Sequence, residues 1–299
     1  MSLITIIIPY YNKTSTIHRS IESVLNQTYV NFELILIDDS SEIPLKEIVH
    51  IDDKRIQILV NEENLGPGPT RQKGLDIAKG EYVAFLDADD WWASDFIEKN
   101  LKNLSHEPNA IASWCKALIY TDECKKGELR RYNELNHNNL IYSLLKYGHS
   151  IQTSAFLWRK NRCGKWGDLS TNQDSFFEFS SASKNPIVVK TDFVLLLRDE
   201  TGNEHRLKYV NKERMYINSL KLYSSIFDMH IENFSIVQKG LLLHRFLNAY
   251  YKVLINTNHD PFFEFQKRYT RLSCCLGRNK FLIKIILKFL KSTPLKFYY

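Results

Sequence analysis

Several features are scarce in this sequence, and each scarcity removes a class of protein. No apolar stretch reaches the roughly 18 uncharged residues that crossing a bilayer requires. The opening residues MSLITIIIPYYN lack a basic segment and a small-residue cleavage site, and Pro9 interrupts their apolar run, so no secretory signal is read there. The cysteines show no paired metal-ligand spacing: Cys274 and Cys275 are adjacent, and Cys115, Cys124 and Cys163 are scattered. Free thiols in a reducing cytosol are the expected state. No internal repeat and no low-complexity stretch occurs. There is also no P-loop, no G-x-G-x-x-G fingerprint, no zinc-finger spacing and no aromatic RNA-binding motif, so nucleic acid is not an expected partner.

What is present is enough apolar sequence for a packed core. The chain has 299 residues, 44% hydrophobic and 25% charged, which fits one large α/β domain with an appendage, or two domains. Its net charge of +6 hides an asymmetry. Residues 211–299 hold 15 Lys and Arg against 5 Asp and Glu, which leaves 25 against 29 in residues 1–210. An acidic body therefore carries a basic tail, and such a tail suits an anionic surface or partner.

Hydrophobic patterning predicts alternating strands and helices. LITIIIPYYN reads as a strand stopped by Pro9 and Asn12, and a helix follows from Ser15, its N-cap, to Asn26. FELILIDDS, RIQILVN and EYVAFLDADD read as three more strands. Gly66 to Pro69 reads as a rigid loop, followed by a short helix from Thr70 to Lys79 that Gly80 closes. SAFLWRK and PIVVKTDFVLLLR read as later strands, and the chain beyond Asn211 as helical. Strands that are apolar on both faces and alternate with helices predict a mostly parallel sheet sandwiched by helices. The expected organisation is an α/β domain over 1–210 and a helical basic region over 211–299. In open sheets of this kind ligands bind beyond the carboxyl ends of the strands, where Asp38, Asp39 and Asp87 to Asp90 fall.

FLDADDWW, residues 85–92, places Asp87, Asp89 and Asp90 together. Like charges at such spacing repel, and a divalent cation with oxygen preference, Mg²⁺ or Mn²⁺, would relieve them. The same residues also suit a solvated turn that caps a helix over Trp91 to Lys102. Asp38 and Asp39 suit contacts to a nucleoside, and equally a helix cap. In NLGPGPTRQKG, residues 64–74, Gly66 and Gly68 admit close backbone approach and Arg71 can pair with phosphate; an ordinary loop is the alternative. GKWGDLSTNQDSFFEFS, residues 164–180, sets Asp174 among aromatics, either as a general base or as an exposed helix residue.

Taken together, ITIIIPYYN, SIESVLNQTYVNFELILIDDSS, NEENLGPGPTRQKGLDIAKGEYVAFLDADD and GKWGDLSTNQD resemble the bacterial family 2 glycosyltransferases, with their GT-A nucleotide-binding fold. The resemblance covers about residues 3–95 and, more weakly, 150–180. It implies an inverting, metal-dependent glycosyltransferase that uses Mn²⁺ or Mg²⁺ and a nucleotide-sugar, usually a UDP-sugar. Pro9 and Tyr11 would line the nucleotide pocket, Asp38 would contact the base, and Asp39 would lie near the nucleoside. Arg71 would serve the nucleotide-side loop. Asp87 and Asp89 would form the D-x-D pair, with Asp87 facing ribose or sugar and Asp89 binding metal on the diphosphate. Asp174 would be the catalytic base, and Trp166 and Asp168 would shape the acceptor side. Two positions depart from the family pattern: Gln72 replaces the usual Asn after the arginine, and Gln173 replaces the usual Glu before the base. His205 falls where some relatives place a metal-binding histidine, although GNEHRL also suits a solvated loop.

The implied function is transfer of a sugar to a glycan or lipid-linked acceptor hydroxyl in cell-surface polysaccharide or lipopolysaccharide synthesis. The competing readings are a catalytically silent binding subunit and a sugar-phosphate nucleotidyltransferase; the latter would need an N-terminal Gly-rich signature that IPYYNKTSTI lacks. In GRNKFLIKIILKFLKSTPLKFYY, Lys280, Lys284, Lys288 and Lys291 form a cationic stripe on an amphipathic helix ending near Pro294. Over 278–291 that helix suits an anionic membrane surface; packing of its apolar face on the protein is the alternative. A location on the inner face of the cytoplasmic membrane is the matching expectation.

Overall fold

The computed structural model describes residues 1–120, 128–129, 139–147, 151–182, 187–199, and 211–257 apart from 231 and 233. The chain divides into two compact units, Met1–Lys208 and Tyr209–Tyr299. The first unit opens with strand β1 (Ile4–Tyr10), helix α1 (Ile17–Leu25), strand β2 (Phe32–Asp38), the single turn α2 (Leu45–Ile48) and strand β3 (Ile56–Val60). Helix α3 (Pro67–Ile77), strand β4 (Tyr82–Phe85), the short strand β5 (Asp90–Trp92) and helix α4 (Phe96–His106) follow. The remainder is β6 (Ala112–Tyr120), β7 (Glu128–Leu129), α5 (Leu140–Tyr147), β8 (Phe156–Arg159), α6 (Gln173–Ser181) and β9 (Val188–Asp199).

Beyond the two-residue β7, the sheet runs in the order β3-β2-β1-β4-β8-β6-β9-β5. Its first half is parallel: β1 lies between β2 and β4, and β3 adds to β2. Ile4, Ile6, Ile7 and Ile8 of β1 are fully buried, as are Leu34, Leu36 and Ile37 of β2. Burial on both faces is why these strands read as unbroken apolar runs, and each such side chain contributes about 1.5–3 kcal/mol. The second half is mixed, because β8 pairs antiparallel with both β4 and β6 and β5 pairs antiparallel with β9, while β9 runs parallel to β6.

Three local expectations are corrected. Helix α1 begins after Thr16, not Ser15. The GPGP stretch is not loop throughout. Gly66, at φ +83°, is the turn before α3, and Pro67 occupies the first helical position, where its missing N–H costs nothing. Trp91 does not open a helix: residues 90–92 pair with β9, and α4 starts only at Phe96. In the second unit, helices α7 (Lys212–His230) and α8 (Ile236–Asn256) pack against each other. Ser235 and Gln238 form a reciprocal capping box at the start of α8. No described helix is long and apolar enough to cross a membrane. His205 and residues 278–291 lie outside the described residues.

Candidate active site

The carboxyl ends of β1, β2 and β4 surround a cavity of about 360 Å³. Pro9 and Tyr11 form its β1 wall. Asp39 supplies an acidic flank, and Gly66 and Pro67 bring in the start of α3. Arg71, Asp87 and Asp89 line the opposite end, together with Lys13 and Arg198.

The two adjacent aspartates at the end of β2 make different contacts. Both oxygens of Asp38 accept backbone N–H groups, from Ser41 at 2.9 Å and Leu45 at 2.7 Å, so Asp38 organises the turn into α2 and is not a lining residue. Asp39 accepts the N–H groups of Leu65 and Gly66 at 3.0 and 2.8 Å and the Asn61 amide at 2.7 Å. It thus ties the β2 end to the α3 entrance while facing the cavity. Gly68 is needed nearby, because a Cβ there would stand 2.9 Å from the Gly167 carbonyl oxygen and 3.0 Å from Gln173 Cδ.

The turn after β4 holds the acidic cluster. Ligand atoms of Asp87, Asp89 and Asp90 lie within 4.8 Å of one another. Asp90 is fully buried, accepts from Ser154 Oγ at 2.6 Å, and has Arg198 Nε 3.7 Å from Oδ1. Burial, and then the Asp87 charge, push its carboxyl up to about 7. Asp90 Oδ1 has no hydrogen-bond partner among the described residues. Three hard carboxylates, one with an unsatisfied buried oxygen, fit Mg²⁺ or Mn²⁺ by donor chemistry. Lys13 Nζ contacts Asp89 Oδ2 at 2.9 Å and supplies a cation there.

Arg71 joins this cluster to Asp174. It is 5% exposed, its Nη2 lies 2.5 Å from Asp87 Oδ1, and its Nη1 lies 3.6 Å from Asp174 Oδ1. Burial opposes its charge, but Asp87 and Asp174 more than offset that, so the guanidinium sits above its ordinary value. Trp166 braces it from the side, with the guanidinium carbon 4.8 Å from the ring centroid. Trp166 in turn stacks on Phe177 of α6 at 4.4 Å. The Trp166 backbone N–H donates to Gln72 Oε1 at 2.8 Å, which gives the departure at position 72 a structural task. Asp174 lies in the first turn of α6 and accepts from Thr153 Oγ1 at 2.6 Å. Asp168 is exposed on the segment before α6 and is not a lining residue.

Of the residues singled out in the sequence, Pro9, Tyr11, Asp39, Arg71, Asp87 and Asp89 share one cavity, and Asp174 adjoins it through Arg71. Lys13, Arg198, Thr153 and Ser154 were not singled out. Lys13 follows the strand end at Asn12, a position that sequence reasoning could have weighed. Arg198 reaches the site only because β5 and β9 pair Asp90 with Arg198, a contact no local pattern announces.

Residues 5–162 match the model of the family described as Glycosyl transferase family 2. An uncharacterised glycosyltransferase of Haemophilus influenzae is 47% identical over 104 residues, 34% of this chain and 42% of that protein. WfaP of Escherichia coli, a UDP-Glc:alpha-D-GlcNAc-diphosphoundecaprenol beta-1,3-glucosyltransferase, is 36% identical over 148 residues, 49% of this chain and 57% of that protein. The chain thus spans about half the length of these curated relatives. Among solved structures, S. aureus TarS 1-349 in complex with UDP-GlcNAc superposes with a TM-score of 0.66 at 18% identity, over 93% of this chain and 80% of that one. That likeness shows a shared fold, the GT-A fold.

Proposed function

Because the chain belongs to glycosyl transferase family 2, we propose that it moves a sugar from a UDP-sugar to a hydroxyl of a glycan or lipid-linked acceptor, inverting the anomeric carbon. The observation that carries the reading is the single cavity in which Asp39, Arg71 and the Asp87–Asp89 pair converge, with Asp174 held beside it by Arg71. Pro9, Tyr11 and Asp39 take the nucleoside end, and Asp38 supports the loop next to them. Lys13, Arg71 and Arg198 offer cationic groups toward the diphosphate. Asp87, Asp89 and Asp90 would hold a divalent cation, which when bound would neutralise charge on the leaving group.

Asp174 takes the proton of the acceptor hydroxyl as its oxygen bonds to the anomeric carbon. The carbon–oxygen bond to the diphosphate breaks, and its electron pair leaves on the phosphate oxygen. Trp166 keeps Arg71 in place, and Asp168 stands on the acceptor side. The UDP-sugar donor and lipid-linked acceptor in the name of WfaP, and the UDP-GlcNAc bound to TarS, support the substrate class. The setting is cell-surface polysaccharide or lipopolysaccharide assembly on the inner face of the cytoplasmic membrane, with the lysine stripe of 278–291 against anionic lipid.

A panel of UDP-sugars screened by thermal shift with Mn²⁺ tests the donor. One of them should stabilise the protein, and Asp174→Asn should keep that binding while UDP release falls about 10²–10⁴-fold. Equal loss of binding and turnover would count against the base assignment. For the membrane, the full chain should co-sediment with phosphatidylglycerol vesicles at low salt, and replacing Lys280, Lys284, Lys288 and Lys291 by Gln should abolish it. Unchanged sedimentation would reject that role.

A further inference from the structure

Two adjacent hydroxyl residues, Thr153 and Ser154, sit in the turn Thr153–Ala155 that leads into β8. They are 8% and 0% exposed, and they face different parts of the site. Thr153 Oγ1 donates to Asp174 Oδ1 at 2.6 Å. Ser154 Oγ donates to Asp90 Oδ2 at 2.6 Å and accepts from the Asp87 backbone N–H at 3.0 Å, which uses the donor and one acceptor site of a single hydroxyl. The Ser154 carbonyl oxygen accepts the Trp92 indole N–H at 2.7 Å, so the backbone of the turn is itself held.

A second connection between the same two places runs through Arg71, which reaches Asp174 with Nη1 and Asp87 with Nη2. The contacts close into a ring: Thr153, Asp174, Arg71, Asp87, Ser154, and back to Thr153 through one peptide bond. Asp174 comes from α6 and Asp87 follows β4, so this peptide links them a second time, beside the Arg71 guanidinium.

We propose that Thr153 and Ser154 are positioning residues for the transfer step. Thr153 aims the Asp174 carboxylate at the acceptor oxygen. Ser154 sets Asp87 and Asp90 toward the diphosphate end. The peptide they share fixes the separation of the two. This inference rests on the glycosyltransferase reading. In-line displacement needs the base, the attacking oxygen, the anomeric carbon and the departing oxygen in one alignment, and a displacement of about 1 Å costs up to about 100-fold in rate. Proton removal by Asp174, formation of the new carbon–oxygen bond and departure of the diphosphate with its electron pair all depend on that alignment.

The test uses the full chain with Mn²⁺ and water as acceptor. UDP release is measured from UDP-glucose, UDP-galactose, UDP-N-acetylglucosamine and UDP-N-acetylgalactosamine, UDP affinity by calorimetry, and folding by Tm. Thr153→Val should lower kcat at least about tenfold while KM and UDP affinity stay within about twofold. Thr153→Ser, which keeps the hydroxyl, should stay within about threefold of wild type. Ser154→Ala should weaken UDP binding in Mn²⁺ as well as kcat. If Thr153→Val does not fold, Thr153→Ala against Thr153→Ser makes the same comparison. Wild-type kcat in Thr153→Val, equal loss of kcat and UDP affinity there, or a Thr153→Ser variant as impaired as Thr153→Val would each overturn the inference alone. Wild-type protein that neither binds UDP in Mn²⁺ nor releases UDP from any of the four donors would overturn the UDP-sugar reading and this inference with it.

Discussion

Replacing Asp90 by Asn should change how stability depends on pH, in the absence of metal, by an amount the structure sets. The folded protein holds this carboxyl at about 7, against an ordinary 3.8, chiefly because it is buried and secondly because Asp87 lies beside it. A group whose folded pKa is raised binds more protons in the native state across that interval. Stability is therefore fully present below about pH 4, falls as pH rises toward 7, and stays at the lower level beyond. Each unit corresponds to about 1.4 kcal/mol, so ionising Asp90 in place costs about 4 kcal/mol. Asp90→Asn keeps the shape and can still accept from Ser154 Oγ, but it carries no charge to bury. The assay is Tm by scanning fluorimetry between pH 4 and 8.5 with EDTA present. The two proteins should melt within a degree or two of each other at pH 4, and the variant should melt roughly 5–10 °C higher at pH 8. Comparing the curves cancels the titrating groups common to both that do not interact with Asp90. Parallel Tm curves across the whole range would refute the reasoning.

Two further outcomes follow from other contacts. Lys13→Ala removes a cation at Asp89, so Mn²⁺ alone should bind two- to fivefold more tightly, the range for a partly exposed ion pair, while UDP binds more weakly; unchanged or weaker Mn²⁺ affinity by calorimetry would contradict this. Gly74→Ala on α3 would set a Cβ 2.7 Å from Ile7 Cγ2 and 3.1 Å from Ile37 Cδ1, inside a filled core, so urea denaturation should show a loss of about 1–3 kcal/mol; an unchanged midpoint would mean that α3 shifts freely over the sheet.

The parallel half of the sheet was legible because its strands are buried on both faces, which writes itself into the sequence as Ile- and Leu-rich runs. The antiparallel pairings of β8 and β5 were not, because strand direction in a sheet leaves no local mark. Trp91 and Trp92 show the difficulty: followed by FIEKNLKNL they read as helical, but a strand partner about a hundred residues later claims them. GPGP read as loop because two prolines and two glycines make it up, although Pro67 is well suited to the first helical position. At the site, residue types revealed the acidic cluster and Arg71. They did not distinguish Asp38, which holds backbone, from Asp39, which faces the cavity, since neighbours on one strand end differ only in direction. Lys13, Thr153, Ser154 and Arg198 owe their roles wholly to tertiary placement.

Strand β9 lies between β6 and β5, and it ends at Asp199. A nascent chain that has emerged only through β8 therefore exposes one open ladder along β6 and leaves residues 90–92 without a mate. Such unpaired edges are where growing chains stick to one another. The closing strand also delivers Arg198 to the acidic turn, so assembly of the sheet and arrival of that cation are one event on the ribosome, and chains released short of it should be recognised by chaperones rather than by donor.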